Sequence, residues 1–184
     1  MAALIPSASA TGSGTMTLAG PSTNSNQTIT IPDATGTMMV SGNMPAFAAY
    51  PNVNQSISAG TNTKVALQVE VFDTANAFDN TTNYRFTPQV AGYYQVNAAM
   101  YLAGTGIQYA LAMIYKNGSK YNQGQFFYLA VGTSDTSACV SSIVYLNGST
   151  DYLELYCSQS GGSSTSILGI STHTYFNACL IRGA

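Results

Sequence analysis

From Pro45 onward the chain alternates apolar and polar positions in short blocks, a period of two that sends successive side chains to opposite faces of a strand. Nowhere does a stretch of about ten residues carry apolar positions at the i, i+3, i+4, i+7 spacing of an amphipathic helix. The pattern predicts strands over residues 47–50, 63–71, 84–86, 92–102, 107–116, 125–130, 137–145, 151–157 and 174–182. Gly, Asn and Ser separate them. Asn117-Gly118 and Asn147-Gly148 read as hairpin turns, because the tightest hairpin needs left-handed backbone at both central positions. The run from Gly161 to Ser166 reads as a flexible loop, with neither the Lys nor the strand-to-helix setting of a phosphate loop. Many short strands and no helix predict an all-β sandwich or jelly roll.

Alternation also assigns faces. Tyr94, Val96, Ala98 and Met100 share one side of a strand, opposite Gln95, Asn97, Ala99 and Tyr101. Leu153, Leu155 and Cys157 oppose Tyr152, Glu154 and Tyr156. In both strands one side is aliphatic and suits a core. The other mixes Tyr with small or polar groups, which fits either a solvated face or a protein interface.

One stretch organises the rest. Phe72-Asp73, then Tyr84-Arg85-Phe86-Thr87-Pro88, then Gly92-Tyr93-Tyr94 resembles the central segment of the complement one-q globular head. That family belongs to the tumour-necrosis-factor-like jelly rolls. Tyr115-Lys116-Asn117-Gly118, Leu146-Asn147-Gly148 before Tyr152-Leu153-Glu154-Leu155, and Tyr175-Phe176 extend the resemblance over about residues 45–184. It implies an antiparallel jelly-roll sandwich assembled as a homotrimer. On that reading the Tyr-bearing faces become subunit contacts, with Tyr101, Tyr152 and Tyr156 as the expected interface residues.

Residues 1–44 have a different composition, which divides the chain into an N-terminal docking arm (1–44) and a head (45–184). Asp33 is the one charged side chain in the first 63 residues. An arm of Ser, Thr, Gly and Asn with sparse apolar beats cannot offset its own ordering entropy, so it is expected to order against a partner. Ile29, Ile31 and Met38 bracket its one strand-like segment and are the expected anchors. Thr17-Leu18-Ala19-Gly20-Pro21 with residues 26–37 is similar to a segment of tailed-bacteriophage structural proteins that lies upstream of a fibre or knob domain. This second resemblance implies a protein of the virion surface, made in the host bacterial cytoplasm. Its arm would engage other virion proteins and its head a host cell-surface glycan or protein. Within that class a tail-fibre or spike tip competes with a capsid decoration protein, which the absence of a long shaft favours. A non-viral lectin-like module is the third reading. It would call for an export signal, and Met1-Ala2-Ala3-Leu4-Ile5-Pro6 lacks the basic and apolar regions of one.

Charge narrows the partners. Only 7% of residues are charged and the formal net charge is −2, so no basic stripe is available for nucleic acid. No apolar run approaches the ~20 residues of a spanning helix, so membrane insertion is not expected. Cys139, Cys157 and Cys179 are an odd set without metal-ligand spacing, expected as buried, reduced strand residues. His173 is the sole histidine and no Gly-x-Ser-x-Gly elbow or paired-carboxylate cleft accompanies it, so no enzyme is expected. No cofactor is expected. Asp73 and Asp79, flanking an Asn-bearing loop, suit either turn capping or a calcium ion. Loops 74–83, 103–106, 117–124, 131–136 and 158–166 are the candidate ligand contacts, for their Tyr, Asn, Ser and Gly.

Overall fold

The computed structural model describes residues 44–126, 128–130, 135–161 and 165–184, with residues 22, 26, 39, 40 and 42. The predicted anchors Ile29, Ile31 and Met38 lie outside the described residues. The compact unit that carries the strands takes in residues 37–184, and Met39 packs against its core.

Among the described residues there are strands and no α-helix. The strands are β1 (Ala46–Tyr50), β2 (Gln55–Ile57), β3 (Thr63–Lys64), β4 (Val69–Asp73), β5 (Phe78–Asp79), β6 (Arg85–Phe86) and β7 (Ala91–Ala103). They continue as β8 (Tyr109–Lys116), β9 (Ser119–Gln123), β10 (Thr136–Asn147), β11 (Leu153–Ser160), β12 (Thr165–Ile167) and β13 (Tyr175–Gly183). Every pairing is antiparallel. In the first sheet β7 is central: β10 lies along one edge, β13 and then β12 along the other, with β1 and β4 beyond β13 and β2 beyond β12. The second sheet runs β5-β6-β11-β8-β9, with β3 also on β11. This is the antiparallel jelly-roll sandwich expected from the pattern.

The two sheets close on one core. Tyr94, Val96, Ala98, Met100 and Leu102 of β7 point into it, and so do Leu153, Leu155 and Cys157 of β11. Phe47 sits at its aromatic centre, stacked on Phe78 (centroids 4.7 Å apart) and Phe86 (4.4 Å) and edge-on to Phe176 (5.2 Å). Phe86 in turn meets Tyr94 at 5.6 Å, and the Tyr94 hydroxyl donates to the Val90 carbonyl at 2.7 Å. Burial of that phenol pushes its pKa up. The Tyr-x-Phe-x-Pro and Gly-Tyr-Tyr motifs thus supply Phe86 and Tyr94, two rings that join β6 to β7. Gly92 belongs to the same device, since a Cβ there would collide with the Arg182 carbonyl oxygen of β13.

Several local expectations are corrected. The strand over 63–71 is two pieces, β3 on the second sheet and β4 on the first, because Val65 and Leu67 turn into the core between them. Residues 125, 126 and 128–130, expected in a strand, lie outside any strand. The polar strand β9 pairs with β8 in that region, and its five residues are all exposed, so no apolar period marked it. Residues 151–157 shift to 153–160. Thr165 and Ser166 belong to β12 rather than to a loop, and β2 and β5 were too short to leave a pattern. Asn117-Gly118 is the expected hairpin, with φ of 53° and 75°. Asn147-Gly148 instead opens a crossing between sheets, from β10 to β11. There Asn147 Oδ1 accepts the amides of Ser149, Thr150 and Asp151 at 2.9–3.0 Å and rounds the corner.

Candidate functional site: two unlike outward faces

The strands β1, β7, β10 and β13 hold a single charged residue, Arg182, which follows a bulge in β13. Their outward positions form cross-strand rows. Tyr145 and Tyr93 make one, their ring centroids 5.4 Å apart. Ile143, Gln95, Cys179 and Ala46 make the next; Ser141, Asn97, Asn177 and Ala48 follow; then come Cys139, Ala99 and Tyr175. Ile143 is 54% exposed, Ile181 50% and, across from Ala48, Phe72 of β4 is 48% exposed. Arg182, exposed and in register with Tyr93, is the one charge these four strands turn outward, and so many large apolar side chains beside a single charge are unusual for one chain in water.

Polar order runs through the middle of this face. Gln95 Nε2 donates to Ser141 Oγ (2.9 Å) and Asn97 Oδ1 (3.1 Å). Ser141 Oγ donates to Asn97 Oδ1 (2.8 Å), and Asn97 Nδ2 to Asn177 Oδ1 (3.2 Å). At one end, the Tyr101 hydroxyl donates to Asp135 Oδ2 at 3.2 Å, and His173 meets the Tyr101 ring edge-on at 5.2 Å. Burial and then the Asp135 charge raise the Tyr101 pKa. The one histidine therefore packs on a ring and contacts Thr172 Oγ1 through Nδ1 at 2.8 Å.

The second sheet carries four of the chain's five Lys and Arg, namely Lys64, Arg85, Lys116 and Lys120. Most of these charges are tied down. Glu154, 3% exposed, pairs with Lys64, which also donates to the Asn83 carbonyl. Lys116 Nζ meets Asp151 Oδ2 at 2.8 Å and donates to the Tyr145 carbonyl at 2.8 Å. Lys116 first, then the Asn117 amide, holds the Asp151 carboxyl below its ordinary range. Tyr115 and Tyr156 stack with centroids 3.9 Å apart, and the Arg85 guanidinium lies 4.5 Å over the Tyr152 ring. Burial and then the Glu154 charge raise the Tyr156 pKa.

The predicted interface residues therefore separate. Tyr101 is on the first sheet's face, whereas Tyr152 and Tyr156 are on the second's, so the three form no single patch. Strand alternation sees which side of its own strand a residue takes but not which sheet the strand joins. The same limit hid Tyr93, Ile143, Tyr145, Cys179 and Phe72, whose common face is set by long-range pairing.

Asp73 and Asp79 serve as turn caps. Asp73 Oδ2 accepts the amides of Ala77 (2.6 Å) and Phe78 (2.7 Å), and its Oδ1 that of Ala75 (3.1 Å). Asp79 accepts the amides of Thr81, Thr82 and Asn83 and the Asn83 side chain, bonds that hold its pKa well below the usual carboxylate range. Of the two alternatives for this pair, the geometry is that of Asx turns. No group of three metal-ligating side chains occurs among the described residues. The cysteines also divide. Cys157 is fully buried and its thiol is pushed up to about 12 by burial, while Cys139 and Cys179 are exposed on the first sheet's face. Expecting all three in the core was wrong, because β10 and β13 turn their Cys outward beside an inward Val140 and Leu180. Cys139 and Cys179 sit on strands that flank β7, four residues apart in register, too far to bridge within one chain.

No family model and no curated protein sequence matches the chain. Solved structures do. Eiger TNF from S. frugiperda aligns at TM-score 0.57 and 12% identity, covering 77% of this chain and 93% of that one. Murine APRIL at pH 5.0 aligns at TM-score 0.58 and 10% identity, covering 75% and 99%. The globular domain of zebrafish complement 1qA protein aligns at TM-score 0.54 and 13% identity, covering 76% and 99%. The fold is thus the jelly roll shared by tumour necrosis factors and complement 1q globular heads.

Proposed function

We propose that the chain is a structural protein of a tailed-bacteriophage virion, a homotrimeric head borne on an N-terminal arm and acting at a tail-fibre or spike tip in host attachment. The observation that carries the assembly is the first sheet's outward face, four strands with one charged residue and several exposed Tyr and Ile. Covering that face with further copies removes the apolar surface from water at roughly 25 cal/mol per Å². The TNF and complement 1q likeness supports the same reading, since the resembling families assemble as trimers. The second sheet's face, with its ion pairs and stacked Tyr, is then the displayed side. The phage assignment rests on the arm, through the similarity of residues 17–37 to fibre-type virion segments.

Sedimentation equilibrium of the full chain at micromolar concentration tests the assembly: three subunits are expected, and a well-folded monomer refutes it. Immunogold labelling of intact particles tests the location. Label at the tail tip supports the attachment reading. Label spread over the capsid shifts the protein to decoration, and particles without label point to a lectin-like module. Removing residues 1–36, which leaves Met39 on the core, is expected to give folded trimers that no longer join particles. Ile29, Ile31 and Met38 would each contribute roughly 1.5–3 kcal/mol of burial to docking, before ordering costs.

A further inference from the structure

We propose that the polar ladder Gln95–Ser141–Asn97–Asn177 sets the register and the number of copies in the assembly, by pairing across the interface with groups of a neighbouring copy. The inference rests on the self-assembly proposed above and specifies what makes it a single, defined assembly.

Position is the first argument. The ladder crosses β10, β7 and β13 in the middle of a face whose one charge, Arg182, stands at its Tyr93 end; the Ser141, Asn97 and Asn177 row has the Cys139–Tyr175 row on one side and the Ile143–Cys179 row, which contributes Gln95, on the other. Apolar rows alone would allow a neighbour to slide by a row or to rotate, because burial is non-directional. Within the ladder, Asn97 Oδ1 already accepts two hydrogen bonds and Asn97 Nδ2 donates one. Among the described residues the Asn177 amide nitrogen and Gln95 Oε1 have no hydrogen-bond partner. Once the face is covered, an unpaired amide is penalised more heavily than a made hydrogen bond is rewarded. Only a register that brings a partner to each such group is then stable, as a buried Asn specifies coiled-coil state.

Chemistry identifies the occupant as further copies of this chain. A face with one charge in four strands attracts neither a basic nor an acidic partner. Amide side chains carry donor and acceptor together, so the row is complementary to amides of its own kind. Four strands ~4.8 Å apart, averaging ~30 Å in length, present on the order of 600 Å², close to the ~800 Å² each partner gives a stable interface.

Native mass spectrometry of the full chain and two variants tests this, with thermal unfolding confirming that each folds. The wild type should be trimer only. Asn97→Leu/Asn177→Leu should still associate, yet with at least about a tenth of the material as dimers, tetramers or larger species. Asn177→Asp should raise the dissociation constant at least a hundredfold at about pH 8, by placing an unpaired carboxylate in the interface, and recover at about pH 4.5. A wild-type trimer whose two variants keep its state and affinity overturns the ladder's role while leaving self-assembly intact. A monomeric wild type overturns both.

Discussion

The two sheets share one core and turn unlike surfaces outward. On the second sheet most charged and ring side chains have a partner in their own chain: Lys64 with Glu154, Lys116 with Asp151, Tyr115 with Tyr156, Arg85 with Tyr152. On the first, Ile143, Ile181 and Phe72 stand exposed, Arg182 is the one charge on β1, β7, β10 and β13, and Gln95, Ser141, Asn97 and Asn177 bond to one another across three strands. One face pairs most of its charges within the chain; the other is the face proposed above to be covered by further copies. Under that proposal self-sufficiency, rather than apolar area alone, separates a displayed face from an assembly face.

A charge on the first face breaks the comparison most sharply. Ile143→Asp is expected to abolish trimers, since burying an uncompensated charge at each of three contacts costs about 3–5 kcal/mol apiece. The chain itself should stay folded, Ile143 being exposed there. Sedimentation gives the state and circular dichroism the fold; an intact trimer would remove this face from the interface.

The converse change belongs to the second face. Lys64→Met strands the buried Glu154 carboxylate and should lower folding stability by about 3 kcal/mol without changing the oligomeric state. Pairing it with Glu154→Leu should recover most of the loss in urea unfolding. Dissociation of the trimer by Lys64→Met would mean that the second face also makes subunit contacts.

Acid sharpens the contrast further. Asp151 has a folded pKa below its unfolded value of about 3.9, so its contribution is complete above that value and is lost as pH falls through the folded one. For a partly exposed pair the loss should be about 1 kcal/mol. A stability profile should therefore step down below about pH 4, where Asp79 contributes as well, and Lys116→Met should shrink that step by about the Asp151 share. A step unchanged in the variant would assign the acid sensitivity elsewhere.

Thiol labelling gives the smallest expected effect. Cys139 and Cys179 should react with a thiol reagent in the Ile143→Asp monomer and be protected in the trimer, while buried Cys157 stays unreactive in both. Cys139→Ser should change stability by less than about 0.5 kcal/mol, as expected of an exposed position. Equal labelling of trimer and monomer would leave the first face uncovered.

Much of this architecture was legible in the chain. Tyr94, Val96, Ala98 and Met100 were assigned to the core by alternation alone, as were Leu153, Leu155 and Cys157, and all are buried. Asn117-Gly118 declared its hairpin through the backbone that only such residues adopt readily. These features depend on neighbours along the chain, so local sequence determines them. Tertiary structure decided what depends on distant partners. It put Tyr101 and Tyr156 on opposite sheets, broke 63–71 between two sheets, turned Cys139 and Cys179 outward, and spent the Asp73 and Asp79 oxygens on backbone amides. It also aligned Ser141, Asn97 and Asn177, 80 residues apart at the widest link, into one row. The physical reason is that strand period fixes which way a side chain points relative to its own strand, whereas long-range hydrogen-bonded register decides which strands lie beside it.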